Sequence, residues 1–283
     1  MKLENLEVFN FKGAFRGMRN PLNSWDRSDS FFDLIDDNYF EDNKWDVAYA
    51  WASYENEHRK EFGKEPLKDN DFYDLAQKYM DWFYSTNSTL RYGDCSSYQQ
   101  DIALLGPNDL ELAQKLIKAG SEHRKFLRQI IVSFDLTAPL YFWKEFDTYK
   151  VGTVANSTST MHKLASTPIT LDCFETDDYD DRIQLIDPIH LDVRISEFLT
   201  DLEQLRQLYN ETGDKKYWKE LIRWLPESWL QTRTITMSYE NILNLIHHRH
   251  NHKLSEWRWL VNEFKEQLPY AYELLFFTLE ENK

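Results

Sequence analysis

The sequence predicts an α+β protein, because two kinds of periodicity occupy separate stretches of the chain. Polarity alternates along Leu6–Gly13. It alternates again where Ile131, Ser133, Asp135 and Thr137 interleave with Val132, Phe134 and Leu136, the pattern of half-buried strands. Aromatic and aliphatic residues instead recur at spacings of three, four and seven through Phe31–Tyr92 and Leu191–Tyr209, the pattern of helices with one buried face. With 283 residues and 16% aromatic side chains, the chain can bury a sizeable core. We read it as a single α+β domain, 1–283.

Taken in order, the strand at Leu6–Ala14 runs into an irregular segment, Arg16–Trp25, punctuated by Gly13 and Gly17. Arg16, Arg19, Asn20 and Asn23 there suit either an anion or nucleotide edge, or a solvated loop around a buried Trp25. From Phe31 the chain is acidic and aromatic, with Asp36, Asp37, Trp45, Tyr49, Trp51 and Tyr54, then Phe72, Tyr73, Tyr79, Trp82 and Phe83. Two or three amphipathic helices are expected, broken at Gly63–Pro66, and residues 31–106 read as a helical insertion or lid. Gly106-Pro-Asn-Asp opens the next helix, with Asn108 or Asp109 as its cap over Leu110–Ala119. A basic turn, Ser121–Arg128, leads into the strand at Ile131–Thr137. Pro139 ends that ladder and Tyr141–Phe146 starts a short helix.

Further on, Asp177, Asp178, Asp180 and Asp181 crowd one loop. They suit a divalent cation or, lacking spaced glycines and a closing Glu, an exposed acidic turn. Helices follow at Leu191–Tyr209 and Tyr217–Leu225, the second ended by Pro226. The tract His247-His-Arg-His-Asn-His is read as a helix end that offsets the helix dipole, not as a metal site, because adjacent histidines cannot face one ion from a regular helix. No metal is expected.

A net charge of −15 argues against binding nucleic-acid backbones or anionic membrane surfaces, although the basic residues of Lys115–Arg128 leave room for a local basic pocket. Cys95 and Cys173 stand far apart with no Cys-x-x-Cys pair, which suggests reduced thiols. Met1–Asn5 lacks the apolar core of a signal peptide, and no apolar run is long enough for a membrane span. A cytoplasmic protein is expected.

The most informative stretch is Ala138–His162. An aromatic run opens it, a mixed turn at Thr148-Tyr149-Lys150 follows, and hydroxyls at Thr153, Ser157, Thr158, Ser159 and Thr160 close it without a carboxylate that would repel a phosphate. Such a segment is either a solvated loop or a recognition element for a polar anion. In this order of elements, the chain resembles the flavin-dependent thymidylate synthases. The resemblance extends through Arg223-Trp-Leu-Pro, Thr232, Thr236, the Tyr239–Arg249 segment, Glu256 and Arg258, and spans roughly Asp109–Pro269. It implies a synthase-like core at 107–270, a mixed or antiparallel sheet with helices, with the helical segment 31–106 foreign to it.

That family carries Arg-His-Arg, then Ser, then Glu-x-Ser-x-Arg-Tyr. Here the matching residues are Thr148-Tyr149-Lys150, Thr153 and Asn156-x-Thr158-x-Thr160-Met161, with His162 two residues on. The hydroxyl positions are kept in kind, but only one basic position stays basic. Phe-Glu-His of the strand approach becomes Leu127-Arg128-Gln129. Neither Lys nor Thr reproduces the planar fork by which Arg holds phosphate. Arg124, Lys125, Arg128, Lys144, Lys150, Arg233 and Arg249 are the local cations that remain.

The resemblance implies a homotetramer that transfers a one-carbon group to C5 of a deoxyuridylate-like pyrimidine such as dUMP. FAD would be its cofactor, with reduced folate and NADPH if the family's activity is retained. The alternative is a non-catalytic nucleotide-binding protein on the same scaffold. By the same resemblance, Tyr149, Lys150 and Asn244 would contact cofactor. Thr153, Asn156, Ser157, Thr158, Thr160, His162 and Arg249 would contact nucleotide, and no catalytic side chain stands out.

Overall fold

The computed structural model describes residues 1–35, 44–85, 100–186 and 189–280; Asp36, Asp37, Tyr92 and Cys95 lie outside them. Helices and antiparallel strand pairs make the chain α+β, and it divides into two compact units. One contains Met1–Glu4 and Phe134–Ile235, the other Asn5–Ser133 and Thr236–Lys283.

In the second unit, Asn10 takes a left-handed conformation (φ 71°) and ends strand β1 (Lys2–Phe9) earlier than the alternation predicts. The expected irregular segment is instead helix α1 (Phe11–Arg19), because Phe11, Ala14, Phe15 and Met18 fall three, four and seven apart and bury one face. Their rings meet Tyr239, Tyr270 and Phe126 at centroid distances of 5.6, 6.0 and 5.7 Å. The acidic, aromatic segment holds two helices, α2 (Lys44–Glu61) and α3 (Asp69–Ser85). Strands β2 (Phe31–Ile35) and β3 (Gln100–Leu104), paired antiparallel from Phe31↔Leu104 to Ile35↔Gln100, close its ends. Trp51 stacks on Tyr79 at 3.8 Å with near-parallel planes, at the centre of a cluster with Val47, Ala48, Ala76 and Leu104.

Helix α4 (Pro107–Lys118) begins differently from the sequence expectation. Gly106 occupies its cap position, and the capping acceptor comes from a distant segment: Asp29 accepts the backbone N–H groups of Asn108 (2.9 Å) and Asp109 (3.1 Å). Asp109 is fully buried and faces the other way. Its carboxylate accepts Arg19 Nε at 2.5 Å, the Ser28 and Ser30 hydroxyls at 2.7 and 2.6 Å, and Ser30 N–H at 3.2 Å. Gly106 is required here, because a Cβ would overlap the Asp29 carboxylate. The unit finishes with α9 (Tyr239–Arg249), α10 (Ser255–Gln267), a π turn at Tyr272–Phe276 and α11 (Phe277–Glu280).

The elements numbered between α4 and α9 include strand β4 (Ile131–Pro139), whose residues alternate buried and half-buried as the sequence predicts, and α5 (Leu140–Phe146). The start of α5 is satisfied by backbone bonds from Leu140 and Tyr141 to the carbonyls of Trp229 and Glu227. After it come β5 (Val154–Ser157), the short α6 (Thr160–Lys163), the paired strands β6 (Gln184–Ile186) and β7 (Ile189–His190), α7 (Leu191–Thr212), α8 (Lys215–Arg223) and β8 (Leu230–Ser238). The four-stranded sheet has the order β1-β4-β8-β5. Leu164, Ile169, Phe174, Leu202 and Leu221 form the buried cluster of α7 and α8. Glu203, held by Arg206 and by the Ile169 N–H, has its carboxyl lowered to about 2, chiefly by the Arg206 hydrogen bond.

In the four-aspartate loop, Asp177 and neighbouring Glu175 bind the chain's amino group at 2.8 and 3.2 Å, and Asp180 pairs with Arg182. Among the described residues, no group of three or more His, Cys, Asp or Glu is placed to hold a metal ion. No described helix is long and apolar enough to cross a membrane.

Two predictions follow from the Asp29–Asp109 interlock. Arg19→Met leaves a buried carboxylate without its cation and should destabilise the protein by about 3–5 kcal/mol in a denaturant titration. Burial pushes Asp29 up to about 6, above its unfolded value, so the stability this group contributes is present in acid and lost as pH rises through about 6. Stability measured from pH 5 to 7 should therefore fall more steeply for the wild-type protein than for Asp29→Asn; parallel profiles would contradict this assignment.

Candidate functional site

The hydroxyl-rich segment is not one open loop. Past α5, Thr148 turns its hydroxyl back to the Glu145 carbonyl (2.7 Å), and the half-buried Tyr149 ring lies 6.2 Å from that of Phe146. Lys150 is exposed, and Gly152 supplies a positive φ (72°) at which the chain reverses. Strand β5, which includes Asn156 and Ser157, is exposed along its whole length at the edge of the sheet. Ser159 then accepts the His162 N–H and caps α6, which carries Thr160 and His162. Thr153 lies half-buried just before β5.

Two residues of β8 hold this segment in place. Gln231 Nε2 donates to the Thr158 carbonyl (2.9 Å) and to Thr160 Oγ1 (3.2 Å), while Thr158 N–H donates to the Thr232 carbonyl (2.9 Å). Gln231 Oε1 accepts Arg233 Nε (3.0 Å), and Arg233 donates to Asp147 (2.7 Å) while lying over the Trp143 ring at 4.3 Å. Trp143 is buried, and its Nε1–H is shared between the carbonyls of Ala138 and Gln231. The chain Trp143–Arg233–Gln231–Thr160 thus ties an exposed segment to the core. Sequence reasoning listed Arg233 only as a cation and missed Gln231. The available signal was their i, i+2 spacing, which places both on one face of a strand.

The remaining two predicted contacts lie in the other unit, on α9. Asn244 is exposed and accepts a hydrogen bond from Arg124 (3.0 Å). Arg249 lies half-buried in the last turn, its guanidinium 4.5 Å from the centroid of the buried Trp257 ring. Arg124 (3.2 Å) and Arg128 both pair with Glu240. Burial raises that carboxyl, but the hydrogen bonds from Arg128 and Arg124 outweigh it, and the group is held below its ordinary value. His247 is held below the usual imidazole range by burial and by the Arg124 charge, and its Nε2 lies 3.1 Å from the Thr278 hydroxyl. Most cations listed from the sequence are therefore engaged: Lys144 pairs with Glu227, Lys125 with Glu122, and Arg233 with Asp147.

Chemically, the first unit offers a fixed row of neutral hydroxyls and amides beside the exposed ammonium groups of Lys150 and Lys163, and the second offers an amide and an arginine at a helix end. Both suit polar and anionic groups; neither presents an activated nucleophile. No protein-family model matches the chain, and no curated protein matches it. Among solved structures, the flavin-dependent thymidylate synthase ThyX from Helicobacter pylori complexed with FAD and dUMP is similar at 18% identity and a TM-score of 0.44. That match covers 71% of this chain and 90% of that one. A second structure of Helicobacter pylori ThyX with FAD and dUMP gives 19% identity and a TM-score of 0.45 over the same shares. The functional reading rests on this chain's own residues.

Gln231→Ala should free the Thr158–Lys163 segment without unfolding the protein. Loss of its two hydrogen bonds, at about 1 kcal/mol each, should raise amide exchange there by roughly tenfold or more. Unchanged exchange would show that β8 backbone contacts alone hold it.

Proposed function

We propose that this protein acts in pyrimidine-nucleotide metabolism and binds a deoxyuridylate-like nucleotide, with one-carbon transfer to C5 of the pyrimidine as its reaction. What carries the reading is the hydroxyl segment, which bears no carboxylate and is held in a defined shape by Gln231. In this proposal Thr153, Asn156, Ser157, Thr158, Thr160 and His162 meet the phosphate and sugar, Arg249 contacts nucleotide, and Tyr149, Lys150 and Asn244 are the cofactor contacts. The synthase-like core of residues 107–270, the insertion at 31–106, the single-domain organisation, the cytoplasmic setting and a homotetramer belong to the same proposal, on the strength of the sequence resemblance.

The flavin side of that resemblance is not supported by the turn itself. A pyrophosphate needs converging cations or backbone N–H groups. Thr148 is bonded to its own helix, Tyr149 packs near Phe146, and only Lys150 extends a charge. These residues do not fit FAD as a bidentate grip would, and no step is derived through it, or through folate or NADPH. This observation favours the second reading, a non-catalytic protein that binds nucleotide on the same scaffold.

The protein's role toward substrate in this proposal is placement and electrostatic complementarity, since none of the residues assigned to the site is poised as a nucleophile. Calorimetric titration with dUMP tests the reading. Wild-type protein should bind it, and Thr158→Asp or Thr160→Asp should abolish binding by setting a carboxylate against the phosphate. Arg249→Ala should weaken it more than tenfold, the value of a charge-assisted hydrogen bond of about 1.5–3 kcal/mol. Normal binding by both Asp variants would remove the segment from the site. Titration with FAD should show weak binding or none; stoichiometric yellow protein from the cell would instead restore the flavin enzyme.

A further inference from the structure

A cleft of about 950 Å³ lies wholly within the second unit and includes none of the residues assigned above to nucleotide or cofactor. Its walls come from α1 and the segment after it, the C-terminal end of α2, and α4 with the basic turn that follows it. The floor is apolar: Met18 and Phe126 are buried there, beside half-buried Leu112 and Leu116.

The charged groups of the cleft are unequally engaged. Its acids all have partners: Asp26 pairs with Lys64, Glu111 with Lys115 and Glu122 with Lys125. Glu55 accepts the Tyr79 hydroxyl, and both oxygens of Asp29 accept amides of α4. Arg19, one of the two arginines that the sequence assigned to an anion in this region, is buried on Asp109. Two other guanidinium groups are not so held. Arg27 is exposed and feels the charge of neighbouring Asp26, but forms no ion pair within 4.0 Å among the described residues. Arg59 uses only Nε, on the Glu65 carbonyl at 3.3 Å, which leaves its terminal nitrogens available. What the cleft offers a ligand is therefore two planar cations above an apolar floor, within a chain whose net charge is −15. Guanidinium groups recognise phosphates and carboxylates through paired hydrogen bonds, and an apolar floor adds affinity for a ring or alkyl body.

We propose that this cleft is a binding site for a small organic anion, an apolar or aromatic body carrying one phosphate or carboxylate, gripped by Arg27 and Arg59. It is separate from the nucleotide reading and does not depend on it.

The test is a fluorescence titration of the full chain with 8-anilinonaphthalene-1-sulfonate, an aromatic sulfonate used as a probe in place of the phosphate or carboxylate. Wild-type protein should show saturable binding at one site per chain. R27Q/R59Q should weaken it at least tenfold at an unchanged melting temperature, while Lys219→Gln, at an exposed position outside the cleft, should leave it unaltered. Displacement by inorganic phosphate would mark the ligand as a phosphate, and displacement by benzoate as a carboxylate. The assignment is overturned if binding does not saturate, if R27Q/R59Q binds like wild type, if Lys219→Gln weakens binding equally, or if neither anion competes. Leu116→Gln provides a second variant: it should weaken binding through the floor even if the arginine pair unfolds the protein.

Discussion

The reciprocal hold between Asp29 and Asp109 is the constraint on which the second unit depends. Asp29 reaches across to satisfy two of the free amides that begin α4, and Asp109 reaches back from α4 to collect Arg19, Ser28 and Ser30. Each carboxylate removes donors that would otherwise be buried without partners, which is costly in a low-dielectric interior. Trp51 joins the same knot by donating to the Asp29 carbonyl at 2.7 Å, so α2 is positioned from the same point. The cost is a carboxyl displaced to about 6, tolerated because the alternative is an uncapped, buried helix start. The organic-anion cleft has this knot in its wall, through Arg19, Ser28 and Asp29.

In the first unit a stacked cation has the corresponding role. Arg233 lies on Trp143, is neutralised by Asp147 and passes its remaining hydrogen bond to Gln231, which orients the hydroxyl segment. An exposed edge strand would otherwise sample many conformations; the network limits that freedom before any ligand arrives, which lowers the entropy cost of binding. The same network removes Arg233 from the set of cations that could meet a ligand directly.

That engagement of cations bears on what the protein can do. Arg124, Arg128 and Arg233 are held by carboxylates, and the turn where the resembled family keeps Arg-His-Arg extends only Lys150. In the proposed reading, phosphate recognition is left to hydroxyls, backbone amides, Lys150 and Arg249. Those groups suit a monophosphate better than the pyrophosphate of a dinucleotide, because Arg249 is the one planar fork among the proposed contacts.

The sequence by itself determined the elements whose burial repeats regularly: β4, α5, α7 and α8 follow directly from apolar spacing, as do the two aromatic helices α2 and α3. It also showed that Thr153–Thr160 is a carboxylate-free hydroxyl segment. It misjudged α1, where Phe11, Ala14, Phe15 and Met18 already had helical spacing but two glycines suggested a loop. The cap of α4 was also misjudged, since Asp29 stands far from Asn108 in sequence. Which arginines remain available was decided only by tertiary structure. Arg19, Arg27 and Arg59 look alike along the chain, and only folding sets Arg19 against a buried aspartate and leaves Arg27 and Arg59 at an open cleft. Ion pairing depends on distance and burial, and neither is encoded in local spacing.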